Sequence, residues 1–439
     1  MIKKGMFIAI TVIAVVCIFS ACADKVEKVS AIPETEEKEN KSPVLELTSL
    51  TEDTTQSVCI DYVIESYENI QKFGYDLFAQ CIDDENPVFS PVSAYLALSM
   101  ATCGADGTTR EELYSVLGND LLSLSDDMMN RFSVSGDILN LSVANSAWID
   151  SAFAVNDTWL GTVKSLMDAG AFQEELSTEQ TMNKINDWIS DKTNRLIDTM
   201  LTEPLAQQTR LALFNTVYFK GKWKLPFEPQ NTHSEAFYLQ KKQENEKQVE
   251  MMNLYSTDLE YLSNDFMEGV LLPYQNNGEN CSDALAFIAL KPIGENHIRE
   301  VYQKLTDKVI ADILSNKQTE IVNLKLPKFE VTFDKKLNES LMNIGLVECF
   351  DEEKANFDQL GRTIYGDTLY INLVRQKAKI IVDEEGTEAA AATEVLMKER
   401  SAMIMTDPKE LYFNEPFIYI IMDMETEVPL FIGILDNPN

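Results

Sequence analysis

Apolar residues recur at helical spacing near the start of the part of the chain that the pattern predicts to be folded. Residues 60–78 place one apolar face opposite a polar one, which predicts an amphipathic helix carrying Val63, Ile64, Tyr67, Ile70, Phe73 and Leu77. A second helix is expected over residues 93–100, because the preceding Ser90 and Pro91 are typical of a helix start.

Short apolar runs rich in β-branched or aromatic residues predict buried strands. They occupy residues 211–219, 284–290, 321–326 and 417–422. Helices and strands come in runs and do not alternate strictly, which favours an α+β fold over a doubly wound parallel sheet. No linker-like gap interrupts the sequence after residue 57, so one large domain is expected over residues 58–439.

The first 57 residues follow a different pattern. Lys3 and Lys4 precede a short apolar run, which predicts a signal peptide over residues 1–21. The Phe-Ser-Ala-Cys ending at residues 19–22 resembles the bacterial lipobox. This resemblance implies that Cys22 carries lipid and anchors an exported protein on the extracellular side of a membrane; an ordinary signal peptide with a chance cysteine is the alternative. Residues 22–57 continue as a polar segment without aromatic residues, which predicts a flexible tether.

Composition narrows the possible functions. The 439 residues include 37 basic and 71 acidic ones, and this net charge of −34 repels phosphate backbones and argues against a nucleic-acid partner. The two histidines, His233 and His297, and the absence of phosphate-loop, H-E-x-x-H and G-x-S-x-G motifs predict no cofactor, no metal and no catalytic residue. The remaining cysteines are widely spaced without a C-x-x-C pair, which indicates free thiols at Cys59, Cys81, Cys103, Cys281 and Cys349.

Residues 383–401 support two secondary structures. Gly386 followed by Thr387, and then alanines, Leu, Met, Lys and Arg, is a good helix start and helix body. Counting every second position instead gives a face of small or apolar residues suited to a strand: Thr387, Ala389, Ala391, Thr393, Val395 and Met397. The alternation is imperfect at Leu396, so the residue pattern alone favours the helix.

The same segment resembles the hinge of the serpins, the serine protease inhibitor family. The resembling residues run from Glu384 through Gly386 and Thr387 to Thr393, with Ala389, Ala390, Ala391 and Ala392 between them. Further motifs follow in family order along residues 58–439. They are residues 86–93 with 104–108, residues 214–223, 249–252, 326–329, 341–345, 413–417 and 430–433.

The resemblance implies an α+β serpin fold in which helices pack around a large mixed main sheet and smaller sheets, with an exposed reactive-centre loop over about residues 386–410. It also implies a mechanism. A target serine protease cuts the loop and forms a covalent acyl-enzyme, and the freed segment inserts into the main sheet as an extra strand. Small residues on the inward face permit this insertion. A monomer acting as an irreversible inhibitor, and not an enzyme, is expected.

In inhibitory serpins the cut bond follows the fifteenth residue counted from the hinge glycine, so the resemblance implies a cut between Arg400 and Ser401 when Gly386 is counted first. Arginine there suits the acidic pocket of a trypsin-like protease. Another register would place Lys398, Met403 or Met405 before the cut bond, and the methionines would suit chymotrypsin- or elastase-like enzymes.

Other positions match the residues that control opening of the main sheet. Ser90, Ser93, Asn215 and Gln376 match a polar cluster beneath the sheet, with Gln376 in the place of the family's usual histidine, and Trp223 matches an aromatic residue at the top of the sheet. A non-inhibitory binding module or cleavable sensor, inhibition of cysteine proteases, and a surface hydrolase stay as alternatives.

Overall fold

The two helices and four strands that the apolar pattern predicts are present among the described residues. A computed structural model of the chain describes residues 66–82, 84–239, 245–276, 285–294, 296–363, 369–387 and 407–438. The predicted first helix is described from Glu68 onward, with Ile70, Phe73 and Leu77 buried. The free thiols are confirmed for three described cysteines, Cys81, Cys103 and Cys349, of which the first and last are buried.

The α-helices of the described residues are α1 Glu68–Phe78, α2 Pro91–Thr102, α3 Gly107–Leu117, α4 Leu121–Arg131, α5 Asp157–Met167, α6 Glu179–Lys192, α7 Ile298–Tyr302, α8 Asp307–Ser315 and α9 Asn338–Asn343. The helices differ in how they begin: a side-chain cap accepts from the first turn of α3, α5, α6, α7 and α8, whereas α1, α2, α4 and α9 have no such cap. Helix α2 is buried along its whole length and starts with Pro91, whose fixed φ and missing N–H suit the first helical position.

The strands vary from short pairs to long central ones. They are β1 Val88–Phe89, β2 Leu139–Asp150, β3 Phe153–Val155, β4 Gly170–Glu174, β5 Leu211–Lys222, β6 His233–Tyr238, β7 Glu246–Ser263, β8 Met267–Pro273, β9 Leu285–Pro292, β10 Gln318–Pro327, β11 Phe329–Lys336, β12 Gly361–Thr363, β13 Leu373–Val382, β14 Gly386–Thr387, β15 Lys409–Tyr412, β16 Phe417–Asp423 and β17 Val428–Leu435.

A six-stranded mixed sheet, called the main sheet below, has the order β11-β13-β14-β5-β2-β4. In it β13 runs parallel to β5, and β2 runs parallel to β4, while the other pairs are antiparallel. A nine-stranded sheet, called the second sheet below, has the order β1-β17-β16-β9-β8-β7-β10-β15, and β6 also pairs with its long strand β7. A third sheet pairs β12 with β3.

Helix α2 contacts β2 and β5 of the main sheet and β17 of the second sheet, which places its buried side chains in the core shared by both. Strand β13 alternates strictly between half-buried and buried residues, the pattern of a strand with one covered face. The result is the α+β fold expected from the sequence.

Candidate functional site

Strand β14 lies between β13 and β5 at one end of the main sheet. Gly386 pairs with Lys222, and Thr387 pairs with Gly221 on one side and with Val382 on the other, all antiparallel. The backbones approach closely, because a Cβ at Gly386 would lie 2.0 Å from the carbonyl oxygen of Gly221. Only glycine fits at this position, so the sequence at 386 is fixed by the neighbouring strand.

The turn that leads into β14 is held by its own carboxylate. The Asp383 side chain accepts hydrogen bonds from the backbone N–H groups of Glu385, at 2.9 Å, and Gly386, at 3.2 Å. The Asp383 carbonyl accepts a 2.9 Å bond from the indole N–H of Trp223. Burial raises the pKa of Asp383 above its ordinary value, against the lowering effect of these N–H donors.

Glu384 ties the same turn to the second sheet. Its carboxylate contacts the ammonium of Lys328 at 2.7 Å and accepts a 2.9 Å hydrogen bond from the Thr232 hydroxyl. Its carbonyl accepts a 2.9 Å bond from the N–H of Phe227. Burial opposes ionisation of Glu384, but the bonds from Lys328 and Thr232 outweigh it and hold the pKa of that carboxyl below its ordinary value.

The side chain of Thr387 is buried at the end of the sheet. Its hydroxyl lies 2.7 Å from the hydroxyl of Tyr274, and the tyrosine ring stacks on Trp223 with centroids 4.8 Å apart. Thr387 is therefore part of a strand, whereas the local residue pattern alone favoured a helix beginning there; the rest of that segment, residues 388–401, lies outside the described residues. Two flanking strands supply backbone partners that an isolated segment lacks, and this tertiary pairing outweighs helix propensity.

Strands β5 and β13 pair directly with each other only at the end of the main sheet opposite β14. They pair in parallel where Leu373–Gln376 lies beside Ala212–Asn215. Between those pairs and the β14 pairs at Gly221 and Val382, the described residues of the two strands have no ladder partner from each other. The main sheet is thus closed at one end, occupied by β14 at the other, and unpaired between β5 and β13 in the middle.

The predicted polar cluster lies at the last direct pair between β13 and β5, where the unpaired stretch begins. Gln376 pairs with Asn215 across the sheet, and its side-chain amide spans the backbone of Ser90, accepting from the N–H at 2.8 Å and donating to the carbonyl at 3.0 Å. Asn215 donates from its side chain to Asn145. Within the described part of the chain, the buried Ser90 and Ser93 hydroxyls and the Asn215 side-chain oxygen have no hydrogen-bond partner.

The structure thus brings Ser90, Asn215 and Gln376 together, and it separates Trp223 from them by placing it beside β14. Glu384, Gly386 and Thr387 form the anchored turn and strand. The other predicted site residues lie outside the described residues: Cys22, Ala389, Ala390, Ala391, Ala392, Thr393, Lys398, Arg400, Ser401, Met403 and Met405.

Sequence reasoning missed the residues that receive the hinge. Tyr274 and Thr232 are distant from residue 387 along the chain and lie outside the family motifs. Lys328 lies in the motif at residues 326–329, but nothing in that motif indicates contact with Glu384. Asp383 is adjacent to the hinge, but the sequence does not mark it as the carboxylate that caps the turn. The apolar run of β8, which ends just before Tyr274, indicates a buried strand, but it does not show that Tyr274 contacts Thr387.

The part of the chain that the structure describes holds no helix long and apolar enough to cross a membrane. It also contains no group of three or more His, Cys, Asp or Glu side chains placed to hold a metal ion.

The comparisons with known proteins agree on one family. The family model described as "Serpin (serine protease inhibitor)" matches residues 68–438. The chain is 30% identical to alpha-1-antiproteinase 2 of Equus caballus over 384 residues, which covers 84% of this chain and 86% of that protein. It is 31% identical over 382 residues to alpha-1-antichymotrypsin of Pongo abelii, covering 83% and 86%.

Solved structures extend the likeness to the fold. Tengpin, a thermophilic serpin, matches in its native state with a TM-score of 0.76 at 31% identity, covering 84% of this chain and 93% of that one. The latent state of tengpin matches less well, with a TM-score of 0.70. The chain belongs to the serpin family. Serpins are typically inhibitors of serine proteases and not enzymes, although the family includes non-inhibitory members.

Proposed function

We propose that this serpin inhibits serine proteases irreversibly by inserting its cleaved loop into the main sheet. The observation that carries the proposal is β14, because Gly386 and Thr387 already lie between β5 and β13 with antiparallel pairs on both sides. The unpaired stretch beyond them offers backbone partners to the residues that follow in sequence.

The inward face of an inserted segment follows from the existing pairs. Since Thr387 pairs with Val382, continuing the register pairs residues 389, 391, 393 and 395 with the buried positions 380, 378, 376 and 374 of β13. The inserted residues at those positions are Ala389, Ala391, Thr393 and Val395, all small or apolar. This match supports insertion, because a charged side chain facing inward would have to lose its hydration.

The length of β5 matches the length of the segment. Because Thr387 pairs with Gly221, the same register pairs residue 397 with residue 211, the first residue of β5. Ten steps of about 3.3 Å carry the chain roughly 33 Å along the sheet. A protease attached at Arg400 would then move from one end of the sheet to the other.

The chemistry is that of an interrupted proteolysis. The protease serine oxygen attacks the carbonyl carbon of Arg400, the bond to the Ser401 nitrogen breaks, and the new amine leaves with the proton delivered by the protease histidine. An ester then joins the two proteins. Insertion competes with hydrolysis of this ester, and it prevails when it distorts the protease before water attacks.

Arg400 as the residue before the cut bond favours a trypsin-like target. The alternatives at Lys398, Met403 and Met405 predict different cut sites, which mass spectrometry of the released peptide distinguishes.

For location, we propose an exported lipoprotein whose Cys22 lipid and tether over residues 22–57 hold the inhibitor at the outer side of a membrane. Labelling with a lipid precursor that depends on Cys22 tests this part.

Incubation with trypsin tests the inhibitory function. We expect a covalent complex that survives a denaturing gel and is lost in Arg400→Ala. A matched pair tests insertion itself, because Ala389→Arg puts a charge on the inward face while Ala390→Arg puts the same charge on the outward face. The inward variant should be cut without forming a complex, and the outward variant should still form it.

Other outcomes identify the alternatives. Clean cleavage of the unaltered protein without any complex supports a cleavable sensor or non-inhibitory module and contradicts the proposal. Equal behaviour of the two arginine variants contradicts insertion in the register given above.

A further inference from the structure

Tyr274 lies beside Thr387, next to the end of β5 where β14 pairs. It follows β8, and its backbone N–H donates to the Leu285 carbonyl while it forms an isolated bridge with Trp223. Its neighbours are fixed as well, since Gln275 donates from its backbone to Lys222 at 2.7 Å. The ring therefore sits on a rigid support where the second sheet meets the end of β5.

The contact between Tyr274 and Thr387 is a buried hydroxyl pair. The tyrosine is 5% exposed and the threonine 1% exposed, and their oxygens lie 2.7 Å apart. Burial raises the pKa of Tyr274 far above its ordinary value, so the phenol stays protonated and can donate. The ring is stacked on Trp223, which constrains where the phenol oxygen lies.

We propose that Tyr274 is a positioning residue that sets the register of loop insertion before the loop is cut. The proposal rests on the proposed function and adds the residue that decides where the inserted strand begins. Thr387 has the pairs and the burial of an inserted residue already. Insertion thus starts from an existing nucleus, and Tyr274 holds that nucleus by its side chain.

Register slips explain why such a residue is needed. A shift by one residue exchanges the two faces of a strand and would turn Glu388 and Glu394 inward. A shift by two keeps the faces but replaces Thr387 by Glu385 or Ala389 beside Tyr274. Neither replacement supplies a hydroxyl of the same reach, and the shift also moves Gly386 away from the close approach to Gly221 that only glycine tolerates.

The expected consequence is kinetic. After acylation, insertion and ester hydrolysis compete, and a strand whose first pair is already formed inserts sooner. Losing one buried hydrogen bond of ordinary strength from this nucleus should slow insertion about five-fold. The ratio of covalent complex to released, cleaved protein should fall by about the same factor.

Four variants measure this ratio against trypsin. Tyr274→Phe and Thr387→Val each remove one hydroxyl and should lower the ratio, whereas Thr387→Ser keeps a hydroxyl and should restore it. The double variant Tyr274→Phe with Thr387→Val should be no worse than either single one, because removing both partners leaves no unsatisfied group. Tyr95→Phe is the structural control. It removes a buried 2.8 Å bond to the Leu117 carbonyl, and should lower the melting temperature without changing the ratio.

A second measurement does not depend on any protease. Hydrogen exchange at the amides of Gly386 and Thr387 in the uncut protein should speed up several-fold in Tyr274→Phe and stay unchanged in Tyr95→Phe. Unchanged exchange overturns the positioning role of Tyr274 whatever the inhibitory activity. If the unaltered protein forms no complex but exchange responds as expected, the proposed function fails while the docking of the hinge by Tyr274 is retained. Faster exchange with an unchanged complex ratio also overturns the role in insertion.

Discussion

The two ends of the contact between β5 and β13 are held in different ways. At the closed end the strands pair directly, and the Gln376 amide binds the backbone of Ser90 below them. At the other end the strands do not pair with each other, and β14 lies between them, fixed by Asp383, Glu384 and Thr387.

This difference shows that one sheet carries a complete half and an incomplete half. The closed half depends on a polar cluster that leaves buried oxygens of Ser93 and Asn215 without partners in the described residues. The incomplete half has backbone groups that a new strand could pair. If the proposed insertion occurs, the added strand would pair these backbone groups, so we expect the cut, inserted protein to be more stable than the uncut one.

The largest expected effect is on the whole sheet. Cutting the loop near residue 400 should let about a dozen backbone bonds form at roughly 1 kcal/mol each, which corresponds to a rise in melting temperature of about 10 °C or more. Differential scanning calorimetry before and after limited trypsin cleavage measures the change. The Ala389→Arg variant, cut at the same bond, should rise much less. A melting temperature that stays constant after cleavage would contradict the interpretation that the cut loop completes the unpaired half of the main sheet.

A smaller effect is expected at the closed end. Gln376→Met keeps the side-chain length but leaves the buried N–H of Ser90 without its partner and removes one of the two donors to the Ser90 carbonyl, which also accepts from the Ala94 N–H at 3.3 Å. This should destabilise the uncut protein by about 2 kcal/mol. Denaturant unfolding measures this change. The same substitution at the exposed Gln303 is the control and should alter stability by less than about 0.5 kcal/mol. Equal effects at both positions would show that the amide does not hold the closed end.

The smallest effect is expected at the anchored turn, and it depends on pH. Glu384→Gln should cost about 1 kcal/mol near pH 7, because the carboxylate loses its charge beside Lys328 at a partly exposed site. The folded pKa of Glu384 is lowered from 4.5, so its stabilising contribution is present above pH 4.5 and is lost as the pH falls through the folded pKa.

Melting temperatures of the unaltered protein and Glu384→Gln, compared over that pH range, should therefore converge on acidification. Lys328→Met should show the same loss at pH 7, and the double variant should be less than additive. If the difference in melting temperature between the two proteins grows as the pH falls, Glu384 does not stabilise the turn through its charge.

Local patterns were sufficient for the α+β fold class and for some of its elements. The apolar runs at residues 211–219 and 417–422 predicted β5 and β16, and Ser90 with Pro91 predicted the start of α2. These elements are correct because their pattern of buried and exposed positions is imposed by the core and is visible within a few residues. The small, alternating hinge residues and the ordered motifs were likewise sufficient to recognise the family.

The arrangement around the hinge was decided only by tertiary structure. The residue pattern favoured a helix beginning at Thr387, yet the neighbouring strands make Gly386 and Thr387 a strand, and Tyr274 receives the threonine hydroxyl from 113 residues away. Sequence determines which side chains could enter a sheet, since size and polarity are local properties. Which strands stand open to receive them depends on backbone groups brought together by folding, and no local pattern records that proximity.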